Sequence, residues 1–285
     1  MKKNNILITG SFGQLGTSIK NISDKYDYRY FFTNKDNLNI NNFLKVESFL
    51  KKFEIDIIIN CAAYTNVNMS AVEKKLAENV NIQAVDNLAK LCHENNVKLI
   101  HISTDYVFDG EKKTPYNETD LTNPINFYGL TKLRGENSLL SSQLKNSIII
   151  RTSWLYSQFR ENFVKKITKK LNQNENIHIV KEEIGSPTNA TDLARAILEI
   201  IPKLKNEFVE IYHFSNGGFC SRQEFVTKIK ELVRSNSKII LKESNNDVHR
   251  PKYSALDCTK IQKKFNIANY HWMESLEMHF KNYLN

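Results

Sequence analysis

Two side chains suited to acid–base chemistry lie close together in the segment NPINFYGLTKLRGE, residues 123–136. Tyr128 and Lys132 are four residues apart, so on a helix both project from one face. A phenol with a pKa of about 10 holds its proton tightly at neutral pH, and a neighbouring ammonium group favours the phenolate. In the reduction of a ketone, Tyr128 would protonate the oxygen as hydride reaches the carbon, and Lys132 would stabilise the phenolate. Because this spacing also arises by chance, its meaning depends on position.

A second group of polar residues follows an apolar run in the segment ISTDYVFDG, residues 102–110. Ser103 and Thr104 stand where the run ends, and ligands of parallel sheets bind at the carboxyl ends of strands. The hydroxyl of Thr104 would polarise the same ketone oxygen that Tyr128 protonates. The alternative interpretation is that the two hydroxyls simply cap the end of a strand.

A glycine-rich turn is the third feature with a chemical meaning. The segment TGSFGQLG places Gly10, Gly13 and Gly16 directly after an apolar run and at the start of a helical pattern. In this context the glycines permit a tight turn and let the backbone approach a pyrophosphate, which the N–H groups of the helix N-terminus bind. The pattern therefore predicts dinucleotide binding. A β–α turn that binds no ligand is the alternative.

The choice of dinucleotide depends on the end of the second apolar run, where an acidic residue would bind the ribose 2′-OH of NAD. The sequence there is TNKDN, residues 33–37. Neither Thr33 nor Asn34 is acidic, whereas Lys35 could face the 2′-phosphate of NADPH. We therefore predict NADPH as cofactor, with NADH possible. Alternatively, Lys35 is simply solvated.

The elements that must position these residues alternate along the chain. Short apolar runs at 5–10, 28–33, 56–60, 97–103 and 147–154 are typical of buried parallel strands, and the segments between them have helical spacing. One of these, residues 70–95, places a set of apolar residues near one helix face: Leu76, Val80, Ile82, Val85, Leu88, Ala89 and Cys92. We predict an α/β fold with a Rossmann-like, doubly wound parallel sheet.

After Trp154 the alternation becomes less regular. Helical patterns at 159–172, 191–201, 222–234 and 271–283 alternate with apolar runs at 177–180, 210–215 and 238–242. This arrangement predicts a smaller α/β substrate lobe interleaved with the last parts of the main sheet. The predicted dinucleotide-binding domain comprises residues 1–155 and 190–215, and the substrate-binding lobe comprises 156–189 and 216–285.

Composition and charge exclude several classes of protein. Charged residues make up 25% and hydrophobic residues 41% of the 285 residues, a globular composition. The net charge of +9 suggests nucleic acid as a partner, but the lysines are scattered in pairs without a long basic run. A positive field that attracts anionic small substrates fits equally well. We therefore predict no nucleic-acid partner.

Cysteine usage and the lack of long apolar runs indicate the compartment. Cys61, Cys92, Cys220 and Cys258 stand far apart, without a Cys-x-x-Cys motif or a His at zinc spacing, which argues against a disulfide framework or a metal knuckle. The N-terminus lacks the apolar stretch of a signal peptide, and no run of about 18 apolar residues would span a membrane. We expect a cytoplasmic protein with no membrane partner.

Taken together in their order along the chain, these motifs resemble the dTDP-4-dehydrorhamnose reductase family, a branch of the extended short-chain dehydrogenase/reductases. The resemblance runs from residue 5 to about 260 and rests on the segments TGSFGQLG, NCAAYTNV, HISTDYVFDG, TPYNETD, NPINFYGLTKLRGE, RTSWLY, GSPTNATDLA and RPKYSALD. It implies a two-lobed enzyme that reduces the 4-keto group of a nucleotide-activated deoxysugar with NAD(P)H, and a possible homodimer.

The resemblance also implies roles for individual residues. It assigns Thr104, Tyr128 and Lys132 to the catalytic triad, with Tyr128 and Lys132 also touching the cofactor. Further cofactor contacts would come from Gly13, Gln14, Leu15, Asn39, Ile40, Ala62, Ala63 and Tyr64. The sugar would contact Thr104, Asp105, Tyr128 and Trp154. For Trp154 the alternative is an indole that plugs the floor of the cleft.

The chain departs from the family pattern at two places where the smaller lobe would meet the sugar. The usual Tyr-Thr-Ala-Val-Asp-Lys-Ala-Glu is YTNVNMSA at 64–71, so Asn68 and Met69 replace a charged pair. The usual Asp-Asp-Gln-x-Gly-Ser-Pro-Thr is KEEIGSPT at 181–188. Some members hold magnesium with a carboxylate early in the first helix. Thr17 and Ser18 occupy that region here, so we predict no metal site.

Related families suggest other functions. Sister sugar dehydratases carry Asp-Glu after the strand-end Thr, whereas Asp105 is followed here by Tyr106. Sister epimerase-reductases use a Cys and a His, and the loop STDYVFDG has neither. A non-catalytic alternative is an NADP-binding regulatory or scaffold subunit resembling the β subunit of methionine adenosyltransferase, which retains much of the motif set.

Overall fold

A six-stranded parallel sheet forms the centre of the protein, which we describe from a computed structural model covering residues 3–181, 183–243 and 248–283. The strands of the chain are β1 (Asn5–Thr9), β2 (Arg29–Phe32), β3 (Ile57–Asn60), β4 (Lys98–Thr104), β5 (Ile148–Thr152), β6 (Leu155–Tyr156), β7 (Ile177–Val180), β8 (Ile184–Gly185), β9 (Thr188–Asn189), β10 (Glu210–His213), β11 (Cys220–Ser221) and β12 (Ile239–Lys242). The order in the large sheet is β10-β5-β4-β3-β1-β2, and every neighbouring pair is parallel. The predicted doubly wound α/β fold is confirmed.

Helices cover both faces of this sheet because its strands alternate apolar side chains between two cores. The helices are α1 (Gln14–Ile22), α2 (Phe43–Lys52), α3 (Val67–Ser70), α4 (Lys74–Glu78), α5 (Ala84–Glu94), α6 (Phe127–Leu140), α7 (Phe163–Asn172), α8 (Ala190–Ile200), α9 (Arg222–Val233), α10 (Thr259–Phe265) and α11 (Trp272–Tyr283). On β1, Ile6 and Ile8 pack with α1 and α8, whereas Leu7 packs with α2 and α5.

A third apolar core belongs to the smaller part of the protein. Trp272, Phe225 and Leu171 lie in it and come from α11, α9 and α7. The two-stranded sheet β12-β7 lies alongside, and β11 pairs antiparallel with β8. These short elements place residues 183–185 next to 220–222, which matters for the site described below.

The segment at 70–95 differs from the single helix that its spacing predicts. It forms α4, then a π-helical turn at Asn79–Gln83, then α5. The wider turn shifts the helix face, so Leu76 is 48% exposed instead of packing with Leu88. The shift lets Asn81 enter the interior, where it bonds the backbone of Tyr64 and the hydroxyl of Thr131. A π-turn of this kind often marks a functional site.

Two further differences concern the ends of elements. The run 147–154 was predicted as one strand, but β5 stops at Thr152 because Trp154 has a left-handed backbone with φ of 42°. Residues 216–285 were assigned as a whole to the smaller lobe, yet Ile261 and Phe265 of α10 pack in the core under the large sheet. The ring of Phe265 lies 5.0 Å from Tyr212 of β10, whose apolar side needs this cover.

No helix in the described part of the chain is long and apolar enough to cross a membrane.

Candidate active site

A cleft of about 1100 Å³ opens at the carboxyl ends of the central strands, beside the short elements of the smaller lobe. All sixteen residues that the sequence analysis assigned to cofactor or substrate line it: Gly10, Gly13, Gln14, Leu15, Gly16, Lys35, Asn39, Ile40, Ala62, Ala63, Tyr64, Thr104, Asp105, Tyr128, Lys132 and Trp154. The fold therefore brings together residues that lie up to 144 positions apart, from Gly10 to Trp154.

The glycine turn follows β1 at the point where the strand order reverses, with β2 on one side of β1 and β3 on the other. Gly10 has φ of 61°, and a Cβ atom at this position would lie 2.7 Å from the backbone of Ala62. Glycine is therefore required for the close approach of the two strand ends. Helix α1 begins after Gly13 without a side-chain cap, so its first N–H groups remain available to an anion.

The side chain of Gln14 connects the glycine turn to the opposite wall of the cleft. Its Nε2 donates to the carbonyl of Leu155 at 3.3 Å, and its Oε1 accepts from the hydroxyl of Ser157 at 3.0 Å. Arg160 binds the turn from the same wall, donating from Nε to the carbonyl of Phe12. The side chain of Gln14 is thus occupied by structural contacts, which leaves its backbone N–H for a ligand.

One end of the cleft is formed by the loop after β2, where the sequence analysis predicts the adenosine of the cofactor. Lys35 is exposed, and Asn34 organises the loop by accepting from the backbone N–H groups of Asp36 and Asn37. Ile40 is buried, whereas Asn39 is exposed. On the facing strand end, Tyr64 donates from its hydroxyl to Glu73 at 2.5 Å. Lys35 is thus an exposed cation in the loop after β2, and the strand itself does not end in an acidic residue. This arrangement suits the 2′-phosphate of NADPH.

The end of the cleft beyond β4, where the sequence analysis predicts the proton chemistry, contains a buried hydroxyl and a buried carboxyl. Thr104 Oγ1 donates to Asp105 Oδ1 at 3.0 Å and accepts from the backbone N–H of Tyr106. Burial raises the pKa of the Asp105 carboxyl to about 6, although the neighbouring hydroxyls of Ser254 and Thr104 lower it. Asp105 Oδ2 is buried and accepts no hydrogen bond from the described residues. Thr104 therefore does cap the end of β4, as the alternative interpretation holds. The same hydroxyl belongs to a residue that lines the cleft.

Tyr128 lies on the first turn of α6, which Asn126 caps by accepting from the N–H of Gly129. The ring of Tyr128 packs edge-on against Tyr106, with centroids 5.8 Å apart. Burial raises the pKa of its phenol, and the adjacent Thr104 hydroxyl acts in the opposite direction. In the ligand-free protein this phenol therefore holds its proton, as a proton donor must.

Lys132 is 1% exposed and is anchored from below. Its Nζ donates to the carbonyl of Ile102 at 2.7 Å and lies 3.2 Å from His101 Nε2. Burial lowers the pKa of Lys132 to about 8, although the Glu136 carboxylate one turn further along raises it. The amine therefore changes its protonation state close to neutral pH, and its Nζ keeps Ile102 and His101 as fixed partners.

A row of buried polar side chains continues from Lys132 through the sheet. His101 lies 3.0 Å from the side-chain amide of Asn60, and Asn60 Oδ1 accepts from the hydroxyl of Thr9 at 2.6 Å. Burial, and then the charge of Lys132, hold the pKa of His101 well below its usual value. Both ring nitrogens of His101 thus have a polar neighbour, the amide of Asn60 at Nδ1 and the amine of Lys132 at Nε2. This row was missed from the sequence, although a His within an apolar strand was a usable signal.

Comparison with known proteins identifies the family. The sequence model of the family described as the RmlD substrate binding domain matches residues 4–285. The dTDP-4-dehydrorhamnose reductase of Aggregatibacter actinomycetemcomitans is 36% identical over 285 residues, covering 95% of this chain and 97% of that protein. The chain belongs to the dTDP-4-dehydrorhamnose reductase family.

Two more members of this family are similar to the chain over almost its full length. The dTDP-4-dehydrorhamnose reductase of Sinorhizobium fredii is 33% identical, with 95% of this chain and 94% of that protein covered. The crystal structure of the Bacillus anthracis dTDP-4-dehydrorhamnose reductase in complex with NADP superposes with a TM-score of 0.91. Its sequence is 33% identical, and 98% of this chain and 99% of that one are covered. The predicted family resemblance is confirmed.

Three arginines of this family member were not anticipated from the sequence as parts of the cleft. Arg222, Arg250 and Arg160 line it together with the predicted residues. Arg250 reaches the hydroxyl of Tyr106 at 3.5 Å and the side chain of Asn68 at 3.3 Å. Arg250 begins the segment RPKYSALD, which carries part of the family resemblance, but the place of all three arginines in the cleft depends on packing between segments distant in sequence. Asn68, which replaces a charged residue of the family pattern, therefore contacts Arg250 at the rim of the cleft.

Proposed function

We propose that the chain reduces the 4-keto group of a nucleotide-activated 6-deoxysugar, such as dTDP-4-dehydrorhamnose, with NADPH as hydride donor. The observation that carries the proposal is the convergence of Thr104, Tyr128 and Lys132 at the closed end of a cleft whose other end is a glycine turn at a helix N-terminus. The comparisons support the reductase over a scaffold subunit, since the relatives named above are reductases. The predicted homodimer and cytoplasmic location stay predictions.

In this proposal one end of the cleft binds the cofactor and the other end carries out the proton transfer. Gly10, Gly13, Gly16 and the N–H groups of Gln14 and Leu15 bind the cofactor's pyrophosphate. Ala62, Ala63, Tyr64, Asn39 and Ile40 line its path to the adenine. NADPH supplies the hydride when bound. The larger part of the protein, with residues 1–155 and 190–215, carries these groups, and the smaller lobe, with residues 156–189 and 216–285 apart from α10, closes over the sugar.

The proton chemistry belongs to the closed end. On substrate binding the Thr104 hydroxyl turns its proton from Asp105 Oδ1 to the ketone oxygen, and Tyr128 delivers its own proton to that oxygen as the alcohol forms. Lys132, held by Ile102 and His101, offers positive charge to the phenolate that remains. Asp105 offers its free oxygen to a sugar hydroxyl, and Trp154 forms the wall beside the ring.

A direct assay tests this function. Purified protein with NADPH and dTDP-4-dehydrorhamnose should consume NADPH, seen as loss of its absorbance, and should form one alcohol per cofactor oxidised. The same assay with a keto-sugar that lacks the nucleotide should give little turnover. Tight NADPH binding without turnover on any nucleotide-linked 4-keto-sugar would favour the scaffold alternative.

The activity should depend on the ionisation of Lys132. Since its pKa is lowered to about 8, the ammonium form disappears as pH rises through that value, and the phenolate loses its counter-charge. We therefore expect kcat/KM for the nucleotide sugar to fall above about pH 8. In Lys132→Arg the guanidinium stays charged at these pH values, so any residual activity should lack this decline. An identical decline in the variant would assign it to another group.

Lys35 should select NADPH over NADH. Replacing Lys35 by Ala removes one charged contact to the 2′-phosphate, worth roughly 1.5 kcal/mol, so KM for NADPH should rise about tenfold. KM for NADH, which lacks that phosphate, should stay within about twofold. Lys45→Ala on α2 is the matched control, since it removes an exposed lysine that does not line the cleft. Equal changes for both cofactors would show that Lys35 is only solvated.

A further inference from the structure

The wall of the cleft around Trp154 is a layered assembly of side chains from both parts of the protein. The guanidinium carbon of Arg222 lies 3.4 Å from the centre of the Trp154 ring and 4.6 Å from that of Phe163. A Cβ atom on Gly185 would lie 2.5 Å from the indole atom Cε2, so β8 touches the indole directly. The indole therefore contacts both a cation and a strand.

A carboxylate fixes the guanidinium group in this position. Nε and Nη2 of Arg222 both donate to Glu183 Oε2, at 3.1 and 2.8 Å, and the Arg222 backbone N–H donates to the Glu183 carbonyl at 2.8 Å. The side chains of Arg222 and Glu183 are only 11% and 16% exposed. The pairing of β8 with β11 sets this geometry, since the two residues flank the paired positions Ile184 and Ser221.

This assembly faces the catalytic residues. Arg222 and Trp154 line the same cleft as Thr104 and Asp105, and the charge of Arg222 lowers the pKa of Asp105. Within residues 3–181, 183–243 and 248–283, Nη1 of Arg222 makes no hydrogen bond, so a donor remains free for a ligand.

The assembly also explains one departure of the sequence from its family. Glu183 stands where the family pattern has Gln, in the segment KEEIGSPT. A neutral amide at this position would bond an arginine without neutralising it. The carboxylate makes Glu183 and Arg222 a matched pair of charges, Glu183 directly before β8 and Arg222 directly after the paired strand β11.

We infer that Glu183 and Arg222 determine which nucleotide-linked sugar this chain accepts, by clamping the indole of Trp154 as a rigid wall and adding a cationic donor beside it. The inference deepens the proposed function and rests on it. A rigid wall rejects an epimer that turns its methyl group or a hydroxyl into the indole, and a difference of one such group in a fixed pocket is worth about 10–200-fold in specificity. A mobile indole would move aside for either sugar, and the specificity would be lost.

The test compares the binding of two diastereomeric sugars that differ in configuration at C3 and C5, dTDP-4-dehydrorhamnose and dTDP-4-keto-6-deoxy-D-glucose. The wild-type protein should prefer one over the other by at least about tenfold in Kd. Arg222→Met, which keeps the length of the side chain without charge or planar fork, should reduce this ratio to less than about threefold. Glu183→Gln, the family residue, should give an intermediate ratio. The Kd for NADPH should stay within about twofold in both variants.

A fluorescence measurement reports on the clamp without any substrate. The chain has two tryptophans, and Trp272 is buried, so the difference between each protein and its Trp154→Phe derivative isolates Trp154. Quenching of Trp154 by acrylamide should increase at least about twofold in Arg222→Met. Lys230→Met is the matched control, because it removes a cation from the same helix outside the cleft, and it should change neither readout.

The outcomes separate the inference from the function on which it rests. Unchanged quenching of Trp154 in Arg222→Met, or an unchanged sugar ratio in that variant while the wild type discriminates, overturns the inference alone. A wild-type protein that binds neither sugar overturns the inference together with the proposed substrate class.

Discussion

Replacing Tyr128 by Phe should lower kcat for the reduction by roughly 10²–10⁴-fold, the usual contribution of a positioned general acid. The change removes one hydroxyl and keeps the ring, so the edge-on packing against Tyr106 remains. The free-energy cost to folding should be small, and NADPH should still bind, because the glycine turn is untouched. Stopped-flow or steady-state assays of NADPH oxidation measure the loss in kcat, and equilibrium fluorescence titration measures cofactor binding.

Tyr106→Phe is the control for that result. It removes the same atom from the neighbouring ring in the same cleft, where the hydroxyl contacts Arg250 rather than Thr104. Its kcat should fall by no more than about threefold. If both variants lost activity equally, or if Tyr128→Phe stayed within about tenfold of the wild type, Tyr128 would not be the proton donor.

Removing one member of the buried Glu136–Arg151 ion pair should cause the largest loss of stability. Arg151 donates to both carboxylate oxygens of Glu136 at 2.6–3.2 Å, and their side chains are 3% and 0% exposed. Glu136→Ala leaves the guanidinium group buried and uncompensated, which costs about 3–5 kcal/mol. The free energy of unfolding, measured by urea denaturation with intrinsic fluorescence, should fall by that amount.

A double variant separates the charge from the packing. Glu136→Leu with Arg151→Met removes both charges at similar volume, and such replacements of buried ion pairs are often neutral. The double variant should therefore recover most of the stability lost in the single one. A single variant that costs less than about 1 kcal/mol would mean that water reaches Arg151. The pair also joins α6, which carries Tyr128 and Lys132, to β5, which leads to Trp154.

The sequence pattern was sufficient to predict the strands of the large sheet and the residues on one side of the cleft. The strands β1, β3, β4 and β5 are buried along most of their length and rich in Ile and Leu because both faces of the sheet are covered, and short apolar runs bounded by turn residues are visible locally. The glycine turn, Thr104, Tyr128 and Lys132 could be found for the same reason. Each stands at a strand end or a helix start, and such places are marked by neighbours in sequence.

Local spacing failed where a packing partner changed the backbone. The segment at 70–95 has helical spacing throughout, but inserting Asn81 between Tyr64 and Thr131 required a π-turn that no spacing rule shows. Similarly, the run 147–154 continued as a strand by composition, whereas Trp154 adopts a left-handed conformation so that its indole meets Gly185. In both cases a tertiary contact outweighed the local preference.

The sequence by itself determined the fold class and the family, and it supplied the residues proposed for proton transfer, because these depend on motifs whose members lie within a few positions of each other. Tertiary structure alone decided how the site is tuned. The pKa of Lys132 is lowered by burial, and the row through His101, Asn60 and Thr9 exists because β4, β3 and β1 are neighbours. The stacking of Arg222 on Trp154 likewise joins residues 68 positions apart. Burial and distance between remote residues are set by the packed chain as a whole, and no local pattern encodes them.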